Sequence, residues 1–420
     1  MTLPGSSQVD LRLQNEDRFF RALVDDGLSR AGNRPDRWHK ETGGLTQIQI
    51  SNAAAVSRPL VSDLVSEQRF GRFLASPDNA HLSGRPGRRG GQPVTVEIDP
   101  RAGVAIGIEI GHAVGRAAIG DLHGQLLRDP KTSGDEIVGN FDEGPGEILK
   151  WATAKARELL DAAGATPDDL VGVGVSLAGP VNGDTGEVRA SMGERWATIA
   201  PARELQARLG WSCPFSVDND ANCSAIAEHV HAPPPRVADM AYVKWAEGIG
   251  AGIILNHRLH RGAGGVAGEI GHTYVGSGIR CARCKTECLE TVAALDPMLE
   301  KAGLDPEADN AETLIAAIER GDEKAQAAAG EAARALGRAL GPVLNTLNPQ
   351  SLVLGGAIGA QAYTMIADEL REGLTIATVQ PALRDVRIRK GEMVGRTTVR
   401  GAIAATLREH VPDYIRARKT

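Results

Sequence analysis

The chain has 420 residues, 42% of them hydrophobic and 24% charged, with a net charge of −6; that length suits two or three domains with a sizeable core. No apolar run approaches the roughly 18–20 residues that span a bilayer, and the polar residues 1–10 lack a signal-peptide core, so a cytoplasmic protein with no membrane partner is expected. Five cysteines, an odd number, argue against a secreted disulfide framework, while the acidic total leaves nucleic-acid binding open, because the local field at a docking face decides it.

Residues 11–27 read as an amphipathic helix with Leu13, Phe19, Phe20, Leu23 and Val24 on one side. A second helix is expected over 45–55 and a third over 58–66, with Ser57 as its N-cap and Pro59 in its first turn. Two short helices joined by a tight turn form a helix-turn-helix, which would set Arg58, Ser62 and Asp63 near the groove-facing side of the second. Residues 30–89 hold ten basic and five acidic side chains, a local surplus of five that suits phosphate contacts. Residues 69–98 would form a wing, and the Gly-Arg-Pro-Gly-Arg-Arg run within 82–93 would act as a thin minor-groove arm carrying Arg85, Arg88 and Arg89. The longer connection at 29–44, with Trp38, reads as an extra DNA contact or a disordered insertion. On the residues alone, a small helical cap with a solvated basic linker explains this segment equally well.

The composition changes near residue 100, which divides the chain into an N-terminal unit, 1–98, and a body, 99–420. Short strands are expected at 104–110, 171–177, 215–217, 241–243, 250–255 and 352–354, with helices at about 146–164, 201–209, 220–230, 311–345 and 360–377. Strands alternating with helices predict α/β layers.

The body carries an ordered series of motifs: Gly174-Val-Ser-Leu-Ala-Gly-Pro-Val181, Val217-Asp-Asn-Asp-Ala-Asn222, Gly248-Ile-Gly-Ala-Gly252, Ala267-Gly-Glu-Ile-Gly-His272, Cys288-Leu-Glu290 and Leu354-Gly-Gly-Ala357. In this order the series resembles the ROK family (repressor, open reading frame, kinase) over about residues 102–410, and with the N-terminal unit it resembles that family's transcriptional repressor branch. The resemblance implies an α/β protein: a winged helix-turn-helix in front of an actin-like, ribonuclease-H-like sugar-kinase fold of two lobes with a ligand cleft between them. It implies sugar contacts from Asn219, Asp220, Glu269, His272 and Glu290, with Asp220 where the kinases keep their general base. Such a carboxylate can take a proton from a sugar hydroxyl attacking ATP. A helix N-cap is the simpler role for Asp220.

Cys281, Cys284 and Cys288, with His272 nine positions earlier, offer the donors of a closed Cys3His structural Zn2+ site. Three unligated thiols are the alternative. The family spacing is Cys-x-Cys-x4-Cys; here it is Cys-x2-Cys-x3-Cys, with Arg283 at the usual middle position. Cys213 and Cys223 read as small core residues.

The kinases of the family carry Asp-x-Gly-x-Thr and Gly-Thr-Gly as phosphate elements. Here the corresponding segments read Glu109-Ile-Gly-His-Ala113 and Ala246-Glu247-Gly248. Two like charges about 4 Å apart repel by about 4 kcal/mol at an effective dielectric near 20, so Glu247 opposes ATP phosphates, and no catalytic residue is expected. The expected protein is a sugar-controlled repressor, a homodimer or homotetramer on a palindromic double-stranded operator. Two alternatives stand: an active ATP-dependent sugar kinase with a DNA-binding head, and a repressor controlled by a protein partner.

Overall fold

The computed structural model describes residues 8–33, 44–76, 95–111, 114–127, 136–137, 145–182, 185–188, 199–232, 236–392 and 396–418. Residues 82–93, with Arg85, Arg88 and Arg89, lie outside them, as do Ala113 and most of the 29–44 connection.

The N-terminal unit begins with α1 (Gln8–Asn33), followed by β1 (Leu45–Thr46), α2 (Gln47–Ala54), α3 (Arg58–Ser66), β2 (Leu74–Ala75) and β3 (Thr95–Ile98). α1 is longer than its amphipathic stretch, and Leu13 does not join Phe19, Phe20, Leu23 and Val24 in the core; it is 38% exposed near an overhanging first turn. The second helix starts two residues later than expected, because Thr46 forms a capping box with Gln49 while pairing with β3. Ala55 in the left-handed region ends α2, and the Ser51 hydroxyl donates to Val56 O at 2.7 Å across the turn. Ser57 occupies the N-cap of α3, but its side chain makes no cap hydrogen bond. β1, β3 and β2 form one small antiparallel sheet, the base of a wing.

The body consists of two lobes built on the same sheet order. Lobe one contains β4 (Val104–Ile110), β5 (Val114–Asp121), β6 (Glu136–Ile137), α4 (Pro145–Ala162), β7 (Leu170–Leu177), α5 (Pro201–Leu209), β8 (Phe215–Asn219) and α6 (Asp220–Val230). Lobe two contains β9 (Met240–Trp245), β10 (Ile249–Leu255), β11 (Arg258–Leu259), α7 (Glu290–Ala293), α8 (Leu295–Ala302), α9 (Ala311–Glu319), α10 (Glu323–Leu347), β12 (Ser351–Gly355), α11 (Gly356–Gln361), α12 (Tyr363–Ala377), α13 (Gln380–Asp385) and β13 (Arg387–Lys390); α14 (Thr397–Ala417) then returns to lobe one. The sheets run β6-β5-β4-β7-β8 and β11-β10-β9-β12-β13. In each, the first two long strands are antiparallel and the last three parallel, which is the duplicated actin-like architecture. The single helix expected over 311–345 is two, because Gly321 turns left-handed and Asp322 caps the next helix at Ala325 N.

Strand alternation sorts the faces of lobe one. Val104, Ile106, Ile108 and Ile110 point to α4 and α5, while Ala105 and Gly107 leave room for α14, whose Val399 carbonyl a Cβ at Gly107 would strike. The same cluster includes Phe19, Phe20, Leu23 and Leu28 of α1, Ile226 and Val230 of α6, and Ile403 and Leu407 of α14. The N-terminal unit and lobe one therefore share one core. Polar contacts reinforce the joint: the His231 Nδ1–H donates to Leu28 O at 2.7 Å, Ser29 Oγ to Ala232 O at 3.2 Å, and Arg408 pairs with Asp25 at 2.8 Å.

Candidate functional site

Parallel pairing of β7 with β8 carries Leu177 and Asn219 to the same edge, where the Gly179-Pro180 turn meets the start of α6. The Asn219 side chain caps α6: its Oδ1 accepts from Ala221 N at 2.8 Å and Asn222 N at 3.3 Å, and its Nδ2 donates to Gly179 O at 3.0 Å. Asp218 beneath it is clamped by Arg261 at 2.7 Å and by Asn222 Nδ2 at 2.7 Å, which fixes the strand end. Asp220 uses Oδ1 on Ala221 N at 2.7 Å and Oδ2 on the Lys244 ammonium at 2.5 Å.

Lobe two supplies the opposite wall. Gly268, at a positive φ, lies so close to β10 that a Cβ would collide with Ala251 O, and this turn presents Glu269. Glu290, at the start of α7, accepts from Ile249 N at 3.1 Å and so ties α7 to the Gly-rich turn before β10. Asn219, Asp220, Glu269, His272 and Glu290 line one cleft, together with Lys244, Glu247 and Arg283. Its volume of about 70 Å³ is far below the roughly 300 Å³ of a drug-sized ligand site, so the cleft is narrow. Burial pushes the Glu269 carboxyl above its usual range, against the pull of His272. Glu109, at the end of β4, is buried under the cleft; burial raises its carboxyl as well, opposed by Lys244 and by Arg116 at 3.4 Å across the β4–β5 ladder.

Sequence reasoning missed Lys244. A single lysine inside an apolar strand gives no hint of a partner twenty-four positions earlier; only the approach of β9 to α6 brings the two together. Glu247 lies exposed at the cleft mouth, so water weakens the repulsion expected of it.

Beside the cleft, one donor atom each from His272, Cys281, Cys284 and Cys288 lies within 4.8 Å of the others. His272 Nδ1 faces Cys288 Sγ at 3.7 Å. Three thiols and an imidazole in this compass suit a tetrahedral Zn2+. The one-residue displacement of Cys284 is absorbed by a turn in which Lys285 adopts φ +61° and its amide donates to Cys281 O at 3.0 Å.

In the N-terminal unit, Ser57, Arg58, Ser62 and Asp63 are exposed on one side of α3, while Val61 and Leu64 are buried beneath. Four of the basic residues in the local surplus, Arg30, Arg58, Arg69 and Arg72, are among the described residues, and three of these are engaged internally. Arg30 pairs with Asp26 and Glu97, Arg69 with Glu16 and Glu67, and Arg72 donates to Arg418 O over the Phe73 ring.

The ROK family profile matches residues 105–409. The putative xylose repressor of Caldicellulosiruptor sp. (strain Rt8B.4) is 25% identical over 389 residues, covering 88% of this chain and 94% of its own. The N-acetylglucosamine repressor of Escherichia coli O157:H7 is 25% identical over 382 residues, covering 87% and 89%. Among solved structures, a ROK family transcriptional regulator, homolog of the E. coli MLC protein, superposes with a TM-score of 0.73 at 21% identity over 96% of this chain and 99% of its own. A ROK family glucokinase from Streptomyces griseus, in complex with glucose and AMPPNP, reaches 0.62 at 22% identity over 72% of this chain and 99% of its own. The regulator's fold spans nearly the whole chain, and the kinase's about three quarters of it. This chain belongs to the ROK family, and relatives named as repressors match it over nearly nine tenths of its length.

Proposed function

We propose that this protein is a DNA-binding transcriptional repressor governed by a sugar or sugar-derived ligand held in a kinase-like body that no longer transfers phosphate. The observation that carries this reading is the shared core between the helix-turn-helix unit and the lobe bearing Asn219 and Asp220. A cleft as narrow as about 70 Å³ would part to admit a sugar. A ligand that fits only the parted state shifts the balance between conformations, and α6, reaching from the cleft to α1, hands that shift to the DNA-reading unit.

α3 would enter the major groove with Ser57, Arg58 and Ser62, and the Arg85, Arg88 and Arg89 arm would follow the minor groove. Two copies in a homodimer would read a palindrome. Asp220 would accept a bond from a sugar hydroxyl, with Asn219 holding the helix start, and Glu269, His272 and Glu290 would complete the ring of polar contacts. His272, Cys281, Cys284 and Cys288 would hold Zn2+, which supplies no chemistry beyond fixing the loop. With Nδ1 on the metal, the other imidazole nitrogen keeps its proton for the ligand.

Against phosphoryl transfer stand Glu109, buried and paired to Arg116; Ala113 in place of the family's threonine; and Glu247 in the second phosphate turn. Lys244 adds to this by occupying the carboxylate that would serve as base.

The test is fluorescence anisotropy with DNA from the protein's own promoter region. The parent should bind one fragment specifically, and Arg58→Ala should weaken that binding by about tenfold or more. Addition of D-xylose, D-glucose or N-acetylglucosamine should change the affinity. Equal binding by Arg58→Ala defeats the DNA assignment, and ATP-dependent phosphorylation of any of these sugars at useful rates defeats the loss of kinase chemistry. DNA binding that no sugar perturbs favours control by a protein partner.

A further inference from the structure

We infer that the cleft is built for an uncharged sugar and rejects sugar phosphate esters, with Lys244 committed to Asp220 and Glu247 adding negative charge at the mouth. This rests on the proposal that the cleft binds a sugar at all.

A phosphate ester carries close to two negative charges at neutral pH and needs cations or unoccupied N–H donors around it. In a sugar held as the kinase resemblance implies, with its reacting hydroxyl on Asp220, an ester's phosphoryl group would lie beside that carboxylate. Around that point the fold gathers Asp220 and Glu247, with Glu109 buried behind them and close enough to Asp220 for each to feel the other's charge. The cation among them, Lys244, is already 2.5 Å from Asp220 Oδ2 and also faces Glu109 and Glu247. With Lys244 on Asp220 and Arg116 on Glu109, Glu247 leaves the local balance without a positive surplus.

Several of the nearby backbone donors are already taken. At the N-terminus of α6, Ala221 N is taken by Asn219 Oδ1 and Asp220 Oδ1, and Asn222 N by Asn219 Oδ1. In the Gly-rich turn, Ala246 N donates to Gly248 O at 3.0 Å and Ile249 N to Glu290 Oε1 at 3.1 Å. These two places are where a helix dipole or a glycine loop would cradle phosphate, and both have spent amides on their own chain. Arg283, the other cation lining the cleft, projects from the exposed metal loop and faces Glu269. A neutral sugar asks for none of this: the acceptors of Asp220, Glu269 and Glu290 suit hydroxyl donors.

Isothermal titration calorimetry on the full-length protein tests the inference with matched pairs: D-glucose and glucose 6-phosphate, D-xylose and xylose 5-phosphate, N-acetylglucosamine and its 6-phosphate. At least one parent sugar should bind, and its ester should bind tenfold or more weakly. The uncharged 6-O-methyl ether of a binding hexose should be less disfavoured than the phosphate, which separates charge from bulk. Glu247→Gln should narrow the sugar-to-ester ratio at least threefold. An ester that binds as tightly as its parent sugar overturns the inference and leaves the sugar sensor standing. An ether rejected as strongly as the ester, or a ratio unmoved in Glu247→Gln, overturns the electrostatic assignment. Silence from every compound in both sets removes the sugar reading of the cleft, and this inference with it.

Discussion

Cys288 has its thiol in the interior, 3.7 Å from His272 Nδ1, and it is itself the partner of Tyr274 in the antiparallel bridge that closes the loop. If zinc holds this loop, Cys288→Ser removes a ligand and leaves a buried hydroxyl in a poor coordination sphere. Metal analysis of the purified parent should give one zinc per chain, and the variant should be clearly substoichiometric. Its melting temperature should fall by at least about 4 °C, the shift expected of one or two kcal/mol in a domain of this size. A parent free of transition metal, or a variant that melts with it, ends the zinc assignment. This cluster was legible in the sequence because its members are local: an imidazole and three thiols within seventeen residues announce themselves despite the displaced Cys284. Lys244 was not legible, because its role depends on a partner brought close only by the packing of two lobes. Neither was the commitment of Arg30, Arg69 and Arg72 to internal partners, so the positive surplus counted along the sequence overstates what α3 and its flanks offer to DNA.

α6 joins the cleft to the N-terminal unit. Its first residue, Asp220, lines that cleft, and just past its C-terminal end the buried His231 donates to Leu28 O of α1 at 2.7 Å. Burial lowers His231 from 6.5 to about 4, opposed by its bond to Leu28 and assisted by Arg400 and Arg236. The unfolded chain therefore binds the extra proton between those two values. The stability that the neutral ring contributes is complete above pH 6.5 and is lost as the pH falls towards 4. Comparing the parent with His231→Gln in urea at several pH values cancels the other titrating groups. The stability gap should be widest above pH 6.5 and shrink on acidification by up to about 1.4 kcal/mol per pH unit; a gap independent of pH contradicts a neutral buried ring. Sequence periodicity anticipated α6 and six strands of the body, whose apolar runs sit between Gly, Pro and Asp punctuation, and passed over others such as β5. It did not anticipate α14, whose Gly401 and Pro412 read as interruptions. Gly401 is there for tertiary reasons: a Cβ would collide with Cys223 O of α6, so close approach of two helices outweighs helix propensity.

A boundary near residue 98 follows the change in composition, yet the packing crosses it. Phe19, Phe20, Leu23 and Leu28 of α1 share a core with Val399, Ile403, Leu407 and Val411 of α14, and Phe73 stacks edge-on against Tyr414. Arg416 pairs with Asp17 at the rim of the same joint. Lobe two has its own core, built from α7 to α12 on the sheet of β9 and β12. If so, the N-terminal unit and lobe one open together and lobe two opens separately, which differs from the two units expected of the sequence. It also bears on the proposed control: an N-terminal unit that shares the core of one cleft wall moves when that wall moves against lobe two. Native-state hydrogen exchange at rising denaturant measures this directly. Amides of α1 around residues 19–28 and of α14 around 399–411 should converge on the same opening free energy and the same denaturant dependence, because exposing either face strips the other. Amides in the core of α10 should follow a different isotherm. If α1 instead exchanges through a small, denaturant-independent opening while α14 stays protected, the N-terminal unit is only loosely docked, and a ligand-driven shift in the cleft has no rigid path to α3.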